Sequence, residues 1–231
     1  MPNAIITGAT QGIGKAISEK LLAEGFNIAI CARTLADLLQ LQQQWEQQYP
    51  QQKIIAYQAD FNKKQEVLDF AKHVLAQFNA IDILVNNAGN FYPGKLATEP
   101  EGHLEELVTV HLFSAYHLTR TILPAMKKGH IFNMCSIASL KAYPNGGSYG
   151  IAKYALLGFS DNLREELKET QIKVTSICPG AVYTSSWAGS GLPAERFIKA
   201  EDIAATVWGA YCLSDGADLE TIVIRPQKGD I

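Results

Sequence analysis

Short runs of β-branched or continuously apolar residues alternate with amphipathic stretches along the whole chain, and this alternation leaves few folds open. The runs fall at 4–7, 27–31, 54–58, 83–86, 130–134, 173–178 and 221–224. The amphipathic stretches lie near 11–24, 35–48, 63–78, 103–126, 149–169 and 201–213. Strands this apolar are expected to be covered on both faces. A strand–helix–strand rhythm predicts a parallel sheet joined by right-handed crossovers, hence an α/β, doubly wound fold with a central seven-stranded sheet flanked by helices. No linker or internal repeat interrupts the rhythm, so residues 1–231 read as a single domain.

Composition excludes several classes of function. Hydrophobic residues make up 47% and charged residues 19%, ordinary values for a chain with a sizeable core. The formal charge of -3 gives no basic field for nucleic acid or an anionic membrane. No apolar run reaches the ~18 residues of a spanning helix, and no basic leader precedes the first strand. Cys31, Cys135 and Cys178 fall in or just after predicted strands, and Cys212 lies elsewhere. Without a Cys-x-x-Cys pair they read as reduced thiols, with no metal site, and a cytoplasmic location is expected. The glutamine-rich stretch 40–52 keeps Leu38, Leu41, Trp45 and Tyr49 at rough helical spacing, which predicts a helix with a polar outer face.

Two places carry chemistry. Between the first strand and first helix stands Thr7-Gly8-Ala9-Thr10-Gln11-Gly12-Ile13-Gly14. Glycines here allow a tight turn and let backbone N–H groups approach a pyrophosphate at a helix N-terminus. The second strand ends at Cys31-Ala32-Arg33-Thr34, with no carboxylate before Asp37. An acidic residue there would suit the ribose 2′-OH of NAD, whereas an arginine suits the 2′-phosphate of NADP. A surface arginine at a strand end is the alternative.

The second place is Tyr149-Gly-Ile-Ala-Lys153, with Ser136 upstream. Residues four apart on a helix share a face. A fixed ammonium favours the phenolate, and moving a phenol pKa from ~10 toward 7 takes roughly 4 kcal/mol of differential stabilisation. Such a tyrosine could exchange a proton with a substrate oxygen.

Glycine loop, Tyr149/Lys153 and Ser136 together resemble the short-chain dehydrogenase/reductase family, whose fold is Rossmann-like. Further motifs agree along nearly the whole chain. Asn86-Asn87-Ala88-Gly89 resembles the cofactor-contacting end of the fourth strand, and Asp60, with Phe61 beside it, the adenine contact. Ile131 to Ser136 resembles the strand ending in the catalytic serine. Pro179-Gly180-Ala181-Val182-Tyr183-Thr184 resembles the nicotinamide loop, with Val182 and Thr184 as contacts. The resemblance implies NADP(H), held by the glycine loop (Gly8, Thr10, Gln11, Gly12, Ile13, Gly14), by Arg33 and Thr34, and by Asn87, Ala88, Gly89, Pro179 and Gly180. It implies hydride transfer between a carbonyl compound and its alcohol, with Tyr149 as acid/base, Lys153 lowering its pKa and holding the ribose, and Ser136 orienting the substrate oxygen. Residues 185–199 would form a lid hinged at Gly189 and Gly191, with Trp187, Leu192 and Phe197 as apolar lining; Tyr143 and Tyr92 would border the same cleft. The substrate is expected to be small or medium-sized and partly apolar. Relatives of this size form homodimers or homotetramers, and a homodimer is expected here.

One position departs from the family pattern. Where an asparagine usually holds a water on the proton path, the chain has Val110-His111-Leu112, with Ser114 nearby. His111 is either a substituted relay residue whose charge changes near neutral pH or a packed, neutral side chain. Cys135 precedes the serine, but no dedicated base accompanies it, which argues against covalent catalysis. A non-catalytic dinucleotide sensor on the same fold is the alternative function. A sugar-nucleotide epimerase fits the chain's length and glycine spacing poorly.

Overall fold

The computed structural model describes residues 1–187 and 189–231. Seven parallel strands form one sheet in the order β3-β2-β1-β4-β5-β6-β7. They are β1 (Asn3–Thr7), β2 (Asn27–Ala32), β3 (Ile54–Gln58), β4 (Ile83–Asn86), β5 (Lys128–Met134), β6 (Gln171–Pro179) and β7 (Thr221–Ile224). Each contains its sequence-predicted run: β3, β4 and β7 match it, and the other four extend it by one to three residues.

Side-chain alternation explains why these runs are apolar throughout. Ala4 and Ile6 of β1 pack to one side with Ile17, Leu21 and Leu22 of α1 (Gly12–Ala23), Leu38 and Trp45 of α2 (Leu35–Gln48), and Val207 of α7 (Ala200–Tyr211). Ile5 packs to the other side with Val67 and Phe70 of α3 (Lys64–Leu75), Leu118 of α5 (Ser114–Ile122) and Leu163 of α6 (Gly147–Leu167). Successive strand residues feed opposite cores, so neither face tolerates a polar row. The glutamine-rich helix is α2: Leu38, Leu41 and Trp45 are buried and most of its glutamines face outward.

The stretch predicted as one helix over 103–126 is divided. It comprises α4 (His103–Val108), a π-helical turn at Thr109–Phe113, and α5, ending in a short 3₁₀ turn that contains Pro124. One residue more per turn rotates the following side chains, and such turns recur at functional sites. His111 lies inside it.

Strand order reverses between β1 and β4, where α1 and the segment after β4 diverge to opposite sides of the sheet. A crevice at the carboxyl ends of the strands forms at such a switch point. No helix among the described residues is long and apolar enough to cross a membrane.

Candidate active site

A cleft of about 500 Å³ opens at that switch point and runs from Arg33 past the glycine loop to Tyr149 and Trp187. Nearly every residue expected at the site lines it, from elements far apart in sequence. The glycine loop fits a pyrophosphate. Gly8 and Gly12 have φ of 63° and 55°, in the left-handed region. Gln11 places no side-chain cap on α1, and the first turn of α1 carries no acidic residue, so its N–H groups keep their capacity for an anion. Gly14 differs from the expectation, since it packs behind the loop. A Cβ there would fall 2.3 Å from the Gly8 carbonyl oxygen and 2.5 Å from Asn87 Nδ2.

Asn87 locks the loop to the sheet. Its Nδ2 donates to the carbonyls of Thr7 (2.9 Å) and Gly8 (3.0 Å), and its backbone N–H donates to Thr7 Oγ1 (2.9 Å). Across the opening, Val182 pairs with Ile198 in an isolated bridge, and Thr184 Cγ2 lies 3.0 Å from where a Cβ at Gly12 would stand. Arg33 is exposed at the far end beside Thr34, with Asp60 and Phe61 on the adjoining wall.

At the inner end, Ser136 caps a 3₁₀ turn (Ile137–Ser139): its Oγ accepts from Ala138 N at 3.1 Å, while Ser139 Oγ accepts from Ser136 N. Those bonds use the hydroxyl as an acceptor and leave its own proton to donate. Tyr149 lies in the first turn of α6. The Glu99 carboxylate holds that turn through Ser148 N (3.2 Å) and Ser148 Oγ. One helical turn on, Lys153 Nζ donates to the Met134 carbonyl at 2.7 Å and sits 5.7 Å from the centroid of the Tyr149 ring.

Burial sets the ionisation states. It pushes the Tyr149 phenol well above its ordinary range, against the opposing hydrogen bond of the Ser136 hydroxyl. Burial likewise lowers Lys153 to about 8. The expectation that Lys153 lowers the Tyr149 pKa is therefore corrected. The ammonium is committed to the Met134 carbonyl and lies against the ring, and desolvation outweighs it. At neutral pH the phenol keeps its proton.

His111 is 3% exposed. Burial, then the Lys153 charge, hold its pKa well below normal, so of the two readings of His111 the neutral, packed one describes its ionisation. Its Nε2 lies 2.9 Å from the Asn90 carbonyl and must carry the proton. Nδ1 is buried without a partner among the described residues. The ring meets Tyr149 edge-on at 5.6 Å.

Sequence reasoning missed Phe91. It lines the cleft, whereas Tyr92 turns away, stacks on His103 and bonds Glu106 through its hydroxyl. The adjacent aromatics carry no signal to tell them apart. Asp37, Asn90 and Asp230 also line the cleft unanticipated. In the expected lid, Trp187 lines the cleft and buried Phe197 supports it from behind, while Leu192 is exposed; Ala188 lies outside the described residues. Cys135 is buried.

Comparison with known proteins agrees with this geometry. Residues 2–192 match the family model described as short chain dehydrogenase. An uncharacterized oxidoreductase of Staphylococcus epidermidis is 30% identical, covering 96% of each chain. A diacetyl reductase [(S)-acetoin forming] of the same species is 32% identical over 86% of this chain and 77% of its own. The crystal structure of an alcohol dehydrogenase from Thermococcus sibiricus, complexed with 5-hydroxy-NADP, superposes with a TM-score of 0.90 at 27% identity, over 98% of this chain and 97% of that one. With the glycine cradle, Ser136, Tyr149 and Lys153 on one cleft, this chain belongs to the short-chain dehydrogenase family of oxidoreductases.

Proposed function

We propose that this protein is an NADP(H)-dependent reductase that interconverts a carbonyl compound and its alcohol, with Tyr149 as the proton donor. The observation that carries the reading is the convergence of Ser136, Tyr149 and Lys153 on the end of the cleft opposite Arg33 and the glycine loop. When bound, the cofactor supplies the hydride. The chain's own residues do the rest. Gly8, Gly12 and the start of α1 would hold the pyrophosphate, and Arg33 the 2′-phosphate, whose dianion a guanidinium matches in geometry and charge. Ser136 donates to the substrate oxygen, where charge develops. Tyr149, protonated by burial, transfers its proton to that oxygen. Lys153 braces the tyrosine from below, and the free Nδ1 of His111 offers an acceptor on the same inner wall.

Titration with NADPH and NADH, followed by cofactor fluorescence, tests the cofactor. NADPH should bind more tightly, and Arg33→Ala should erase the difference. Tyr149→Phe should bind NADPH normally yet lose carbonyl-dependent oxidation of it. Tighter NADH binding, or undiminished turnover in Tyr149→Phe, would overturn the reading.

A further inference from the structure

The wall leading away from Tyr149 is a continuous row of aromatic rings. Phe91 meets Tyr149 edge-on, with centroids 4.9 Å apart and planes at 83°. On its other side Phe91 stacks against Trp187 at 5.9 Å and 28°. Trp187 in turn rests on Phe197 at 5.6 Å, and Phe197 is buried and fixes the far end of the row. Flat rings bracing one another in this way present a rigid face with little rotamer freedom to lose on binding.

Charge is distributed just as unevenly. Among the described residues lining the cleft, the cations are Arg33, at the opposite end, and Lys153, buried beneath Tyr149 and bonded to Met134. Of the acids, Asp37 and Asp60 lie toward Arg33, and Asp230 pairs with Arg225. A carboxylate or phosphate on the substrate would find no free counter-charge among the described residues lining that end of the cleft and would pay its desolvation uncompensated.

We propose that Phe91 and Trp187 form the substrate-recognition wall and that it selects uncharged carbonyl compounds with an aryl group attached directly to the carbonyl carbon. The rings begin one ring's width from the reacting phenol, so a planar group must join the carbonyl without a spacer to lie on them while the oxygen reaches Tyr149 and Ser136. The inference rests on the reduction reading above and deepens it. In the balanced step the carbonyl carbon gains a hydride, with NADPH as reductant and NADP⁺ as its product. The C=O π pair moves to oxygen, which takes the Tyr149 proton, and the phenolate is reprotonated from solvent.

The test compares acetophenone, cyclohexyl methyl ketone and 4-acetylbenzoate in the parent protein and in Phe91→Leu, which keeps an apolar side chain but removes the ring. Using each ketone in both proteins cancels intrinsic reactivity. Phe91→Leu should lower the acetophenone-to-cyclohexyl ratio of kcat/KM about three- to tenfold, the factor an aromatic pair is worth beyond its area. The parent should turn over 4-acetylbenzoate at least about tenfold less efficiently than acetophenone. A second readout needs no turnover: acetophenone should quench indole fluorescence in the parent, bind more weakly to Phe91→Leu, and lose most of the quench in Trp187→Phe. An unchanged ratio, equal use of the carboxylate, or no Phe91-dependent binding would overturn the wall while leaving the reduction reading intact. Phe91-dependent binding of acetophenone with no ketone reduced would uphold the wall and sink the reduction reading.

Discussion

Replacing Gly89 by alanine should displace His111, and a double-mutant cycle can show it. A Cβ at position 89 would stand 2.1 Å from His111 Cε1 and 2.6 Å from Nδ1. Carbon atoms rest at about 3.5 Å, so the ring must retreat by about 1.4 Å. The ring is 3% exposed and tied to the Asn90 carbonyl, with Tyr149 packed edge-on against it, so it cannot retreat freely. Gly89 is not among the residues with positive φ, so the backbone accepts alanine without strain and the contact alone is at issue. Overpacking of this kind costs about 1–3 kcal/mol, and losing the Asn90 bond about 0.5–1.5 more. A loss of roughly 3 kcal/mol in Gly89→Ala should lower Tm by about 6–12 °C in a domain of this length. His111→Ala removes the obstructing ring, so adding Gly89→Ala to it should cost little. Urea denaturation of the parent, both single variants and the double variant should give a coupling of about 2–3 kcal/mol. The entropic effect of alanine on the unfolded chain cancels in the cycle. Costs that add to within about 0.5 kcal/mol would refute the contact, and with it the seating of His111 against Gly89.

Glu99 holds the first turn of α6, and Ser148 keeps its carboxyl pKa below the ordinary range. Its stabilising effect should be complete above that range and vanish as pH falls through the lowered value, so the Tm gap between the parent and Glu99→Gln should narrow from pH 7 to pH 4. Lys153 behaves in the opposite sense, because its folded pKa of about 8 lies below the unfolded one. Between about pH 8 and 10.5 the unfolded chain binds the extra proton, so this group makes stability rise with pH, and Lys153→Met should lose that rise in thermal scans. His130 is buried, stacked on Phe132 at 4.0 Å and bonded to Thr175, and burial lowers its pKa to about 3. The unfolded chain takes up a proton near pH 6.5 that the folded one refuses, so this group makes stability fall as pH drops from about 6.5 toward 3; acid unfolding of His130→Gln should shift to lower pH.

What the sequence made legible follows from what each feature requires. The strands were readable because both faces of the sheet are covered: Ile5 and Ile6 must both be apolar although they enter different cores. The glycine loop was readable because its backbone conformation excludes most side chains, and Tyr149 and Lys153 because four residues on a helix fix a common face. Two features escaped. The π-helical turn at Thr109–Phe113 adds a residue to one turn and swings His111 onto the inner wall, yet leaves the apolar spacing of 103–126 looking like one helix. The electrostatics escaped because they depend on burial depth, which no spacing reveals. A lysine four residues from a tyrosine predicts a phenolate only if the ammonium reaches the hydroxyl; here Met134 takes the ammonium, and desolvation keeps the proton on the phenol. That reversal bears on mechanism. A tyrosine that holds its proton at neutral pH, a serine with a proton left to donate and a histidine that stays neutral are what the proposed reduction requires, because that reaction must give a proton to an oxygen gaining charge.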